Sequence, residues 1–168
     1  MHTEILNAAQ QSALAVLGRQ PPLRDFYLAG GTAMQRVEEV EAVVGGGLRG
    51  DRYERRVGYY SGVDECEVTL IEGEALDEIL AQTGIQVQHG QHRRNIVTRG
   101  IRLRELAGKQ LAIGAAVFAY DRPRPPCRYV ETLTEPGMMR ALTAGRGGIC
   151  VRVVQGGTVR AGDAISVM

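Results

Sequence analysis

The residue best suited to chemistry in this sequence is Cys127, which follows two prolines and lies among arginines. The prolines fix the backbone that leads to the thiol, and Arg122, Arg124 and Arg128 surround it with positive charge. Cationic neighbours favour the thiolate, which can act as a nucleophile, carry a sulfur atom or ligate a soft metal. The sequence therefore predicts a functional role for Cys127, although most cysteines only pack.

The other two cysteines, Cys66 and Cys150, lie in apolar segments with the character of strands. We interpret both as packing residues. Three widely spaced cysteines with no C-x-x-C pair indicate a reducing, cytoplasmic setting rather than a disulfide scaffold.

A second group of polar side chains precedes and enters an apolar strand-like run at 93–98. It contains Arg93, Arg94, Asn95 and Thr98. Two guanidinium forks, an amide and a hydroxyl suit a phosphate or a polar heterocycle. Alternation along a strand would place Arg94 and Asn95 on opposite faces.

A third candidate is the glycine-rich run 45–53, which contains Arg49 and Arg52. Glycine allows backbone N–H groups to converge on an anion, and the two arginines could add charge. The run lacks the pattern of a P-loop, so it gives nucleotide binding little support. A plain turn between two strands explains the glycines equally well.

The composition is that of a single globular domain. The chain has 168 residues, of which 44% are hydrophobic and 23% charged, and no apolar run is long enough for a membrane helix. The net charge of +1 conceals an asymmetry, because residues 1–87 carry seven basic and fourteen acidic side chains and residues 88–168 carry thirteen and five. The basic residues of the second half either compensate the acidic residues of the first half within the fold or bind a small anion. We expect no nucleic-acid or membrane partner.

Two kinds of local sequence pattern predict the helices and strands that position these residues. Helical spacing predicts helices over 3–18, 73–82 and, more weakly, 136–143, with a further turn at 103–108. Glycine-punctuated apolar runs predict strands at 36–44, 66–71, 93–98, 110–113, 115–120, 149–155, 157–160 and 164–167. Many short strands with few helices predict a mainly β, barrel-like fold with a few short peripheral helices.

The motifs together resemble the MOSC domain, the module at the C-terminus of molybdenum cofactor sulfurases, in its standalone bacterial type. The resemblance covers 36–168 and rests on stretches that occur in the family's order: Gly47–Arg52, Val68–Glu72, Arg93–Gly100, Pro125–Cys127, Arg146–Gly148 and Gly157–Asp163. Residues 1–35 fit the family poorly, and we treat them as a helical N-terminal extension of uncertain origin.

This resemblance implies a β-barrel that binds the molybdenum cofactor, molybdopterin. Cys127 would carry sulfur or bind the molybdenum, and Arg94 and Asn95 would hold the pterin and its phosphate, with Arg49, Arg52 and Thr98 as further candidates for cofactor binding. The protein would act as a sulfur carrier or as the metal-binding part of a reductase of N-hydroxylated compounds. Its partner would be a sulfur donor or an electron-transfer protein.

Some features depart from the family or leave other functions open. Arg124 stands where some relatives have a second cysteine, and Lys109 is the only lysine and lies in an expected turn, so pyridoxal phosphate is not expected. One alternative is a non-enzymatic module that binds an anion or phosphate, with a structural or redox-sensitive cysteine. Another is a thiol hydrolase, which would need His89 or His92 as a base.

Overall fold

The computed structural model describes residues 23–28, 34–54 and 66–168. The strands of this part are β1 (Leu23–Leu28), β2 (Gln35–Val37), β3 (Glu39–Val43), β4 (Gly47–Leu48), β5 (Val68–Glu72), β6 (Ile96–Thr98), β7 (Gln110–Ile113), β8 (Ala116–Pro123), β9 (Ile149–Gln155), β10 (Gly157–Arg160) and β11 (Ile165–Val167). The helices are α1 (Gly73–Thr83), α2 (Arg128–Leu133) and α3 (Met138–Ala141), and a turn of 3₁₀ helix spans Leu103–Leu106.

Eight of these strands form one sheet in the order β11-β7-β8-β9-β5-β6-β1-β2, and a second sheet has the order β10-β3-β4. Neighbouring strands are antiparallel except β5 and β6, which are parallel and joined through α1. The large sheet curls so that side chains from both sheets share one apolar core. The prediction of a mainly β fold with a few short peripheral helices is confirmed.

The central strand β5 is apolar on both faces, which explains its continuous run of buried residues. Leu70 belongs to the core between the sheets, whereas Ile71 points into a second core on the other face. The second core contains Leu76 and Ile79 of α1 and Val130 of α2. The helices therefore cover one face of the sheet near the point where β5 and β6 meet.

The observed elements follow the predicted ones closely, with a few differences. The strand expected at 36–44 is interrupted at Glu38, and the strand expected at 115–120 continues to Pro123. The helix at 128–133 was not predicted, since its six residues are too few to show a helical period. The segment 23–28, expected within the N-terminal extension, forms β1 and pairs with β2 and β6. The helix expected over 3–18 lies outside the described residues.

The helices of the described segments are all too short or too polar to cross a membrane.

Candidate functional site

A cavity of about 490 Å³ lies between the 3₁₀ turn, the end of β8 and the loop before β9. Prolines and glycines form much of its wall: Pro123, Pro125, Pro126, Gly145, Gly147 and Gly148. Three arginines, Arg104, Arg124 and Arg146, also line it. Glu72 is the one acidic residue among its described lining, and it bonds to Arg102 at 3.3 Å and to the backbone N–H of Leu103 at 2.9 Å. The cavity is therefore positively charged and suits an anion with a flat apolar part.

A group of arginines adjoins one wall of this cavity, and we call it the basic cluster. It consists of Arg52, Arg93, Arg94 and Arg124. Arg94 donates from Nε to the carbonyl oxygen of Gly147 at 2.7 Å, and Arg124 donates to the hydroxyl of Tyr53 at 3.4 Å. Arg52 donates to the carbonyl oxygen of Arg93 at 3.2 Å. Because Gly147 and Arg124 also line the cavity, the cluster and the cavity share a wall.

Arg94 is the most deeply buried member of the cluster, with 5% of its surface exposed. Burial, followed by the charge of Arg124, lowers the pKa of Arg94 to about 10, so the side chain stays cationic at neutral pH. A second bond runs from Nη1 to the carbonyl oxygen of His92 at 3.1 Å. The buried Nη2 has no hydrogen-bond partner within the part of the chain that the structure describes. A buried cation with an unused donor is costly and favours binding of an anion.

His92 holds the backbone that carries Arg94. Its Nδ1 accepts a hydrogen bond from the backbone N–H of Arg94 at 2.9 Å. Burial, then the charges of Arg94 and Arg93, lower the pKa of His92 to about 3, so the imidazole is neutral at physiological pH. Such a weak base, with Nδ1 already occupied, gives the thiol hydrolase hypothesis no support from His92. His89 is exposed on the preceding turn.

Arg93 adopts a left-handed backbone conformation with φ of 62°. This region is unfavourable for side chains other than glycine and occurs most often at functional sites. The turn is closed by a bond from the Arg93 N–H to the carbonyl oxygen of Gly90 at 2.9 Å. The strained turn presents the Arg93 carbonyl to Arg52, so it helps to assemble the basic cluster.

Asn95 and Thr98 fasten β6 to β5. The strand expected at 93–98 spans only Ile96–Thr98, so Thr98 is its last residue and Asn95 directly precedes it. The Oδ1 of Asn95 accepts from the backbone N–H of Thr69 at 3.0 Å and from its hydroxyl at 2.8 Å. Thr98 donates its hydroxyl to the carbonyl oxygen of Ile71 at 3.3 Å. These contacts place both residues outside the cavity lining and give them a positioning role beside Arg94. Direct contact with a cofactor stays a prediction for both.

The two arginines of the glycine-rich run lie in different surroundings. Arg49 is exposed and forms ion pairs with Glu41 at 2.7 Å and with Glu54 at 3.3 Å. Arg52 is nearly buried, and its guanidinium lies 4.3 Å from the ring centre of Tyr53. The structure thus brings Arg52 to the basic cluster and leaves Arg49 on the surface.

Cys127 is a half-buried free thiol immediately before α2. The residues before it, Pro125 and Pro126, line the cavity, although Cys127 and Arg94 themselves are not among its lining residues. Arg124 belongs to the basic cluster, and Tyr129 interacts electrostatically with Arg93 of that cluster. The chain before Cys127 therefore lines the cavity, and the residue two positions after it interacts with the basic cluster.

The sequence pointed only indirectly to some residues of this wall. Gly147 was part of a family motif, and Arg124 was noted as a neighbour of Cys127 and as the residue that replaces a second cysteine of some relatives. Arg146 belonged to the same family motif as Gly147 and Tyr53 to the glycine-rich run, but their partners Gln82 and Arg124 are distant in sequence, so these contacts were not predictable.

Gly148 shapes the cavity wall by its close approach to β5. Its φ is 84°, and a Cβ at this position would collide with the carbonyl oxygen of Leu70. We expect Gly148→Ala to lower the free energy of unfolding by about 2–4 kcal/mol, because left-handed strain and overpacking add. Gly145 also has a positive φ, of 81°, but an added Cβ meets nothing within 4 Å. Gly145→Ala should therefore lower the free energy of unfolding by only about 1–2 kcal/mol. Urea unfolding would measure both variants, and equal losses of stability in the two would contradict this account.

The three thiols should differ in reactivity. Cys66 and Cys150 are 3% and 0% exposed, whereas Cys127 is half-buried. A hydrogen bond to Cys150, followed by burial, raises the pKa of the Cys66 thiol. We expect iodoacetamide to label Cys127 at least about tenfold faster than Cys66 or Cys150. A buried thiol reacts only after local unfolding, and each 1.4 kcal/mol of free energy needed for that opening slows its labelling about tenfold. Peptide mass spectrometry over time would measure the order, and earlier labelling of Cys66 or Cys150 would refute it.

The sequence of residues 57–166 matches the model of the MOSC domain. The chain belongs to the MOSC domain family. No curated protein matches the sequence. The YuaD protein of Bacillus subtilis has a similar structure, with 17% identity, a TM-score of 0.73 and coverage of 88% of this chain and 95% of YuaD. YiiM of Escherichia coli is similar at 18% identity and a TM-score of 0.66, over 89% of this chain and 69% of YiiM. These likenesses confirm the MOSC fold.

Proposed function

We propose that this MOSC chain binds a molybdopterin-type cofactor at the cavity and the basic cluster, with Cys127 as the sulfur group of the site. The observation that carries the proposal is the positively charged cavity bordered by the proline segment that leads to Cys127. The chain would act as a sulfur carrier or as the metal-binding part of a reductase of N-hydroxylated compounds. In either role it would work with a second protein, a sulfur donor or an electron-transfer protein.

The residues of this site fit such a group in charge and in donor chemistry. Arg94 has a buried N–H that lacks a partner among the described residues, and Arg124 adds a second guanidinium at the shared wall. Guanidinium forks match the oxygen atoms of a phosphate. Apolar proline rings and the aromatic ring of Tyr120 line the cavity and suit a planar ring system. A cysteine thiolate is the protein ligand that a soft metal centre prefers.

Each residue would have a separate task in binding. Arg94 and Arg124 would hold the phosphate, and His92 would keep the backbone of Arg94 in position. Pro125 and Pro126 would fix the approach of Cys127, whose sulfur would ligate the metal or carry the transferred sulfur atom. When bound, the cofactor supplies a molybdenum centre that exchanges electrons and oxygen or sulfur atoms.

A non-enzymatic anion-binding module is the second candidate. The observation that favours it is that Cys127 lies beside the cavity rather than among its lining residues. In this case the arginines would hold a phosphate-containing ligand, and the thiol would be structural or redox-sensitive.

Purification from a molybdenum-replete host would test the proposal. We expect the wild-type chain to contain molybdenum and a fluorescent oxidised pterin in equal amounts. Cys127→Ser should retain pterin but lose sulfur transfer or metal ligation, because a hydroxyl is a hard and largely protonated ligand. Arg124→Met should contain neither the pterin nor the molybdenum. The exposed Arg160, which is paired with Glu39, offers a matched control. Arg160→Met should retain the pterin and the molybdenum. Phosphate binding without pterin or molybdenum would support the anion-binding module instead.

A further inference from the structure

We propose that Cys66 and Cys150, whose buried sulfur atoms lie 2.6 Å apart, form a reversible disulfide when hydrogen peroxide reaches them. Both residues are free thiols in this structure. The inference uses neither Cys127 nor a cofactor, so it stands or falls independently of the proposed function.

The backbone places the two sulfurs together from positions 84 residues apart. Cys66 lies two residues before β5, and Cys150 is the second residue of β9. The two strands are antiparallel neighbours, with Thr69 opposite Cys150 and Val68 opposite Val151. A disulfide bond is about 2.05 Å long, so a small movement of Cys66, which precedes the paired residues of β5, would bring the sulfurs into bonding distance.

The surroundings distinguish the two thiols. Cys66 donates its S–H to the sulfur of Cys150, and its sulfur is 3.5 Å from the carbonyl oxygen of Val68. This hydrogen bond, followed by burial, raises the pKa of the Cys66 thiol, so Cys66 is the sulfur that keeps its proton. Arg94 interacts electrostatically with Cys150, whereas Arg124 and Arg122 act on Cys66 without overcoming the rise in its pKa. Cys150 is therefore the attacking sulfur and Cys66 the resolving one.

The chemistry balances with peroxide as the oxidant. The Cys150 thiolate attacks one peroxide oxygen, the O–O bond breaks, and the released hydroxide takes a proton to give water. The product is a sulfenic acid on Cys150. The Cys66 sulfur then attacks the Cys150 sulfur, the S–O bond breaks, and the hydroxide leaves with the Cys66 proton as a second water. Two thiols are oxidised to one disulfide, and one peroxide is reduced to two waters.

The cross-link would tie the cavity wall to the central strand. Cys150 directly follows Ile149, which lines the cavity, and Cys66 leads into β5. A bond between them would fix the start of β9 against the segment that leads into β5 and remove the titratable thiol that interacts with Arg94. The pair is thus a modification site behind the basic cluster.

Treatment of the full chain with hydrogen peroxide tests the proposal. After acid quenching, alkylation in denaturant and digestion, we expect a peptide pair joined through Cys66 and Cys150, with a mass lower by two hydrogens and separated by dithiothreitol. Cys127→Ser should give the same cross-link in equal yield. Cys66→Ser should give no cross-link and should instead leave a sulfenic acid on Cys150 that dimedone traps.

A second measurement needs only the wild-type chain. The oxidised chain should unfold at a higher temperature than the reduced chain, because the bond closes a long loop. Complete alkylation of Cys66 and Cys150 after peroxide treatment, or a disulfide that contains Cys127, would overturn the proposal.

Discussion

Arg94→Met should weaken binding of the isolated cofactor by about 1.5–3 kcal/mol, the contribution of a hydrogen bond to a charged group. This loss corresponds to a dissociation constant about 10- to 150-fold higher. The physical reason is that Arg94 is the buried cation whose Nη2 lacks a partner among the described residues. Arg94→Lys keeps the charge but not the planar fork, so its affinity should lie between those of the wild type and Arg94→Met.

Isothermal titration would measure these affinities, and urea unfolding would show whether each variant is folded. The matched control is Arg160→Met, which removes an exposed arginine paired with Glu39 and should bind as the wild type does. Equal affinity of Arg94→Met and the wild type would contradict the assignment of the anion site.

Acidification from pH 7.5 to pH 5 should lower the free energy of unfolding by about 2 kcal/mol through the titration of His92 alone. The pKa of His92 is about 3 in the folded chain and about 6.5 in an unfolded one. Between these values the unfolded state binds a proton that the native state excludes. The stability that depends on neutral His92 is therefore fully present above about pH 6.5. Below that, the free energy of unfolding falls by about 1.4 kcal/mol per pH unit as the pH decreases towards 3.

Urea unfolding of the wild type and of His92→Gln at both pH values would isolate this effect. The amide of glutamine can accept the bond from the Arg94 N–H but does not titrate. The variant should lose less stability than the wild type by about 2 kcal/mol on acidification. His89→Gln, at an exposed position, should keep the wild-type dependence. Parallel loss of stability in His92→Gln would show that His92 does not exclude the proton.

The sequence alone predicted most of the strands because their apolar runs are bounded by glycine. Helix α1 was also predictable, since Leu76 and Ile79 recur at helical spacing. Shorter elements were not predictable from local pattern. β4 has two residues and β1 is defined by its pairing with β6, so both depend on tertiary contacts.

The site was predicted in its residue types but not in its arrangement. Arg94 and Cys127 stood out by their neighbours in sequence, yet nothing local showed that Gly147 joins Arg94 to the cavity wall. Asn95 has the side chain of a ligand-binding residue, but its amide oxygen is used by Thr69. Similarly, Cys66 and Cys150 were interpreted as packing residues, because their contact depends on the pairing of β5 with β9.

The most direct test of the central claim is X-ray absorption at the molybdenum edge of the chain loaded with cofactor. If Cys127 is the sulfur group of the site as a metal ligand, the wild-type spectrum should show one more sulfur neighbour than the spectrum of Cys127→Ser. If it carries transferred sulfur, the same difference should appear only after incubation with a sulfur donor. Identical spectra of the two proteins under both conditions would contradict the account.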